Sequence, residues 1–248
     1  MSFNFFRQLQ KRDRNFQIEI DGQLLPVEVR ENDRAKRLTL RIIPGAKGLK
    51  VTMPSHVGDD EVEEFVIRNR NWIAARLSRQ PDAVVLEPGA LVPFKGVDYR
   101  IVLSGKLRGL VEVCEENGEM VLKVPGEAQT VSRKLVAFFK KQARSELDRV
   151  VTIHCDRLGV RAKQIRITDT TSRWGSCSST RTLSFSWRII MAPPEVLNYL
   201  AAHEVAHLRE MNHSPKFWAH VEAICPDMKK HKSWLRHHGN KLHAVTLG

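Results

Sequence analysis

No long apolar run occurs in this sequence. Nowhere in its 248 residues does a window approach the roughly 20 apolar residues that span a bilayer, so no membrane segment is expected. The amino terminus, Met1-Ser-Phe-Asn-Phe-Phe-Arg, turns charged before the roughly 7–15 apolar residues of a secretory signal can accumulate. A cytoplasmic protein is therefore expected. Cysteine is scarce: Cys114, Cys155, Cys177 and Cys225 lie far apart, with no C-x-x-C pair. That spacing argues against a disulfide framework and against an all-cysteine zinc site, and free thiols are expected. Only two tyrosines are present, Tyr99 and Tyr199. There is no G-x-x-x-x-G-K phosphate loop, no acidic cluster suited to Mg²⁺, no internal repeat and no low-complexity tract.

Charge of one sign is in surplus. Lys plus Arg number 40 against 28 Asp plus Glu, a formal net charge of +12. This favours anionic partners, and nucleic acid bound through a basic surface is carried as a candidate. The basic residues are spread in patches, around 34–41, 68–79, 133–144 and 229–238, and most such patches are solvated faces.

The periodicity changes along the chain. Residues 16–20, 24–30, 38–43 and 49–53 alternate as strands, with Asp21-Gly22 and Pro44-Gly45 as turns. Residues 55–78 carry Val62, Phe65, Val66, Asn69, Ile73 and Leu77 at helical spacing, opened by Asp59-Asp60-Glu61. Residues 80–83 read as a connection. Strands resume at 91–94, 99–103, 109–113 and 120–124, the last two joined by Asn117-Gly118. A composition shift at 125–130 suggests a β-rich region with one helix over 1–128 and a mainly helical domain over 129–248. In the latter, 131–158 forms an amphipathic helix stopped at Gly159, and 165–168 and 183–190 read as strands of a small antiparallel sheet. Helices follow from Pro193-Pro194 to about Met211, from Ser214-Pro215, and after Pro226-Asp227. The fold class is α+β.

One segment carries chemistry. His203-Glu204-Val205-Ala206-His207 matches H-E-x-x-H, and it falls on a predicted helix with Leu197, Ala201, Val205 and Leu208 as its inward stripe. Residues four apart on a helix face the same way, so the two imidazoles can reach one ion while Glu204 reaches a water beside it. His213 follows where Met211-Asn212 can turn the chain, and Ser214-Pro215 supplies a helix cap behind it. Three nitrogens and an open position are the arrangement of a catalytic zinc, one ion per chain. Such an ion lowers the pKa of a bound water to roughly 7, and Glu204 as general base can take its proton. No nucleophilic Ser or Cys is required, so Cys177 is left out of the mechanism.

The stretch from Arg173 to Leu235 also resembles a known family, the YgjP-like zinc metallopeptidases, related to the SprT and WLM proteases. The matching residues are Arg173-Trp174-Gly175-Ser176-Cys177, then Leu183-Ser-Phe-Ser-Trp187-Arg188 running to Ala192-Pro193, then the H-E-x-x-H segment with Leu208, and Asn212-His213-Ser214-Pro215-Lys216-Phe217-Trp218. The resemblance implies a zincin-like catalytic domain, metal ligands at His203, His207 and His213, and Glu204 as catalytic residue. It further implies a protein or peptide substrate laid along the strand 183–190, with Trp174-Gly175 near the cleft. The third histidine is out of the metzincin register, so Met228 is not a Met-turn. Neither tyrosine follows the third ligand. Arg173, Arg188 or one of His231, His237 and His238 is left to stabilise an oxyanion, with no choice among them and no substrate-binding residue assigned.

Two rival functions share these residues. The same activated water can attack phosphorus, making a metal-dependent nucleoside triphosphate pyrophosphohydrolase, which the basic surplus would suit. A nucleic-acid-associated protein with a structural zinc is the other. The open coordination position and Glu204 count against the latter.

Overall fold

The computed structural model describes residues 14–43, 48–77, 84–170 and 173–246. The expected turn at Pro44-Gly45 and the connection at 80–83 lie outside them. The chain divides into two compact units, Met1–Ala83 and Val84–Gly248. The division therefore falls at Ala83, not at the composition shift near residue 128. The reason is packing: Val92, Phe94, Ile101, Leu122 and Val124 from the later strands share one buried core with Leu135, Phe139 and Trp187.

The first unit is a four-stranded sheet of β1 (Phe16–Ile20), β2 (Gln23–Glu31), β3 (Thr39–Ile43) and β4 (Gly48–Met53) in the order β1-β2-β4-β3. Alternation buries Ile18, Ile20, Leu25, Val27, Leu49 and Val51 on one face. Asp21 and Gly22 both have positive φ, 52° and 80°, the twist a two-residue hairpin demands. The expected single helix is two, α1 (Asp59–Arg68) and α2 (Arg70–Leu77). Asn69 breaks it by turning its side-chain amide onto the Phe65 carbonyl at 2.7 Å, in competition with the helix ladder.

The second unit begins with β5 (Val84–Val85), β6 (Leu91–Phe94), β7 (Val97–Leu103), β8 (Glu112–Glu116) and β9 (Glu119–Val124). Strands β6 to β9 form a sheet in the order β6-β7-β9-β8. Then comes the long helix α3 (Val131–Leu158). Gly159, at φ 60° and ψ 43°, ends it, with Gly159 N–H on the Asp156 carbonyl and Val160 N–H on that of Cys155.

Against α3 lie β10 (Gln164–Thr168), β11 (Gly175–Cys177) and β12 (Thr182–Ser186), then α4 (Pro194–Ala206), α5 (Pro215–Ile224), α6 (Met228–His243) and β13 (Val245–Thr246). The α+β class holds. The small sheet is mixed: β10 runs parallel to β12, and β11 antiparallel to it.

Its order, β10-β12-β11, corrects one expectation. The strand expected over 183–190 is central, with neighbours on both sides, so it offers no edge to a peptide. It also stops at Ser186 and becomes a 3₁₀ turn, Trp187–Met191. There the Ile190 and Met191 carbonyls accept the N–H groups of Lys95 and Gly96. A continuously buried apolar run cannot be told from a strand by periodicity, which is why the turn was invisible. Among the described residues no helix is long and apolar enough to cross a membrane.

Candidate metal centre

Helix α4 begins with Pro194 at its first turn and buries Leu197, Ala201, Val205 and Ala206. It ends earlier than expected: His207 is already the cap residue, and the next N–H groups fold back onto the Val205 and Ala206 carbonyls. His203 thus sits inside the last turn and His207 at its end. The His207 Nδ1 lies 3.1 Å from the Glu210 carbonyl, a contact that fixes Nδ1 as the protonated nitrogen and leaves Nε2 free to ligate.

His213 arrives from the loop before α5. The Asn212 side chain accepts the Ser214 N–H at 2.9 Å, and Ser214 Oγ accepts the Phe217 N–H at 3.3 Å. This double cap holds the loop at the start of α5. The ligand-competent nitrogens of His203, His207 and His213 all lie within 4.8 Å of one another, and Nε2 of His203 is 3.2 Å from Nε2 of His213. Such a set can hold a metal ion. Burial, with His207 and His213 close by, brings the His203 pKa down to about 3, and burial also lowers that of His207. Neutral imidazoles are the form that ligates.

Phe217 is the residue that sequence reasoning left without a role. Fully buried, its ring lies 4.9, 4.5 and 4.7 Å from those of His203, His207 and His213. It is the floor on which the three imidazoles rest. Its position in the first turn after Ser214-Pro215 is the signal that marks it. Trp218, 5.7 Å from both His203 and His213, closes one side.

Glu204 is 4% exposed, and among the described residues its Oε2 has no hydrogen-bond partner. Burial raises its pKa to about 8, and the Arg173 guanidinium pulls in the opposite direction. Gly175 of β11 lies against the carboxylate. The Cys177 thiol is pushed up by burial and then by the Glu204 charge.

The chain matches the family described as YgjP-like, metallopeptidase domain, over residues 36–238. It belongs to that family. The YgjP-like chain is therefore a metallopeptidase by descent, and a metal-dependent hydrolase. Among solved structures, the metallopeptidase zymogen abylysin from Pyrococcus abyssi is similar at 23% identity, over 41% of this chain and 99% of its own, with a TM-score of 0.35. A likeness that slight has no bearing on mechanism. Curated protein sequences give no match.

The structure separates the candidates for oxyanion stabilisation in this YgjP-like domain. Arg188 is buried and occupied: it pairs with Asp169 at 3.0 Å, donates to the Leu242 and Val245 carbonyls, and lies over the Trp187 ring at 4.6 Å. Its role is to anchor the end of α6. His237 and His238 turn their Nδ1 atoms onto carbonyls of their own helix, those of Ser233 and Trp234. His231 lines a separate cavity of about 480 Å³, whose walls include Lys95, Glu146 and Asn198 but none of the three clustered histidines. Arg173 alone of the set acts on Glu204. Tyr199 is buried against His203 at 6.1 Å, and burial pushes its phenol up to about 12. Trp174 stacks on His243 at 4.0 Å and packs against Gly239, so the turn holding Gly175 is braced on α6.

Proposed function

We propose that this metallopeptidase is zinc-dependent, with one zinc per chain held by His203, His207 and His213 and with Glu204 as the general base. The observation that carries the reading is the convergence of three imidazoles beside a buried carboxylate whose Oε2 has no partner among the described residues. The 3.2 Å between the His203 and His213 nitrogens supports it. Two nitrogens each about 2.05 Å from one ion at a tetrahedral angle stand about 3.3 Å apart. An all-imidazole donor set favours zinc over Mg²⁺ or Ca²⁺.

Bound zinc supplies Lewis acidity and a nucleophile at neutral pH. The chain's own residues do the rest. Glu204 takes a proton from the attacking water as oxygen adds to the peptide carbonyl carbon. It then gives that proton to the amide nitrogen as the C–N bond breaks. Arg173, whose guanidinium opposes the effect of burial on Glu204, is assigned to charge developing beside that carboxylate. The substrate backbone lies on β11, whose outer edge has no strand paired to it among the described residues. Trp174, Ser176 and Ser178 hydrogen-bond toward β12 in alternation, so the polar groups of Gly175 and Cys177 face outward beside Glu204. Pairing of this kind gives affinity with little preference for side chains. Four free cysteines suit a reducing, cytoplasmic setting.

The test is Glu204→Gln, which removes the base and spares the ligands. The variant is expected to retain one zinc per chain and to lose cleavage of an unfolded protein substrate by roughly 10²–10⁴-fold. Unchanged turnover would sink the assignment. Nucleoside triphosphates run in parallel separate peptide hydrolysis from phosphoanhydride hydrolysis.

A further inference from the structure

Helix α6 reads Met-Lys-Lys-His-Lys-Ser-Trp-Leu-Arg-His-His-Gly-Asn-Lys-Leu-His and contains no acidic residue. Its inner side is settled, with Met228, Gly239 and Leu242 buried in the domain. The outer side carries Lys229, Lys230, Arg236 and Lys241, all exposed, together with exposed Ser233, His237 and Asn240. At 100° per residue, Ser233 and Asn240 fall in the middle of this face, Lys229 and Arg236 on one flank, and Lys230 and Lys241 on the other. Every exposed side chain there can donate a hydrogen bond, and none carries a negative charge.

Two further observations bear on this face. First, Lys229 and Lys230 occupy the first turn of α6, where the N-cap residue Asp227 is the acidic group beside them. The positive pole of a helix disfavours cations there, by about 0.3–1 kcal/mol each, and folding alone would select against them. A locally unfavourable choice of this kind is a mark of function. Second, among the described residues Lys229, Lys230, Arg236 and Lys241 have no carboxylate within ion-pair reach. Other bases of the same unit are paired, as in Arg100 with Glu119, Lys106 with Glu112, and Lys123 with Glu116, while exposed Arg133, Lys140 and Lys141 on α3 are not.

We propose that the outer face of α6 docks on the phosphate backbone of a DNA duplex, lying along the major groove. A helix fits the groove of B-form DNA, whereas the deep, narrow major groove of duplex RNA excludes it. Cations on both flanks then meet phosphates of both strands, with uncharged donors between them. From Lys229 to Lys241 the face is about 18 Å long, enough to pass several phosphates. A lipid surface is the poorer fit, because the apolar side that would insert is already buried in the protein. The face also borders the metal centre: Lys232 lies over the Trp218 ring at 4.0 Å, and Trp218 is 5.7 Å from His203. Bound DNA would thus lie beside the cleft. The proposal does not depend on which metal is held.

The experiment is fluorescence anisotropy of the full chain with a short labelled DNA duplex, as potassium chloride is raised from about 50 to about 200 mM. The triple variant Lys230→Gln, Arg236→Gln, Lys241→Gln is compared with Arg133→Gln, Lys140→Gln, Lys141→Gln, which removes the same charge from exposed positions of α3. The α6 triple is expected to flatten the slope of log K against log salt by roughly 2–3, about 0.9 for each lost phosphate contact, and the α3 triple by less than about 1. Should the α6 triple not fold, the double variant Lys230→Gln, Lys241→Gln is read in the same way, with a flattening of roughly 2. Equal slopes for the α6 and α3 variants, no binding by the parent chain, or equally tight binding of duplex RNA would each overturn the proposal.

Discussion

A Cβ atom on Gly175 would stand 2.5 Å from Oε1 of Glu204 and 2.8 Å from the carboxyl carbon. The strand and the acid are in contact at the one place in β11 where a side chain is missing. Real Cβ contacts do not come so close, so any larger residue at 175 must displace the carboxylate or the strand.

Gly175→Ala is therefore expected to lower kcat by roughly 10²-fold, the scale of a misplacement of about 1 Å in a reacting group. The φ of Gly175 is not in the positive range that only glycine adopts readily, so backbone strain adds nothing. Metal content measured on the purified variant is expected to stay at that of the parent. Loss of metal along with activity would show that the contact serves the ligands, not the acid.

Phe217→Ala removes the floor beneath three imidazoles. A fully buried phenylalanine truncated to alanine costs about 3–5 kcal/mol, and the cavity lies directly under His203, His207 and His213. Thermal unfolding is expected to move down by several degrees, and metal to be lost at chelator concentrations the parent withstands. Phe217→Leu, which keeps most of the volume, is expected to fall between the two. A stable Phe217→Ala protein with parental metal affinity would contradict this.

Acid is expected to destabilise the fold through histidines held neutral. Burial lowers the pKa of His243 to about 4 and also lowers that of His154. The unfolded chain binds a proton at each near pH 6.5, so between about pH 6.5 and pH 4 it binds more protons than the folded one. Stability is thus full above pH 6.5 and is lost as pH falls toward 4. In His243→Phe, which keeps a ring against Trp174, the drop in melting temperature between pH 7 and pH 5 is expected to shrink. The comparison is made with metal removed from both proteins, so that ligand protonation is common to the two. An unchanged pH dependence would assign the acid sensitivity elsewhere.

The local rules of the sequence were enough for much of this. Gly159 ends α3, Asp21-Gly22 and Asn117-Gly118 make their hairpins with positive φ, and Ser214-Pro215 caps α5. The three histidines predicted to converge do so. What local rules could not give was the partner of each strand. The apolar run after Leu183 has the composition of a strand throughout, yet turns at Trp187 because Lys95 and Gly96, far away in sequence, supply donors to Ile190 and Met191. The same non-local pairing places β12 in the middle of its sheet and leaves the edge to β11, only three residues long. Arg188 looked like a catalytic cation for a related reason: only the fold reveals that Asp169, a carbonyl from the end of α6 and one from β13 already occupy it.

Helix α4 stops at His207, and that early stop has an electrostatic consequence. The negative pole of the helix therefore lies beside the two histidines that α4 itself supplies, His203 in its last turn and His207 at its cap. A cation there gains from a field that three neutral rings by themselves would not provide. An anion arriving at the same spot would be repelled, so selection by sign of charge is built into the end of the helix before any ligand atom is counted.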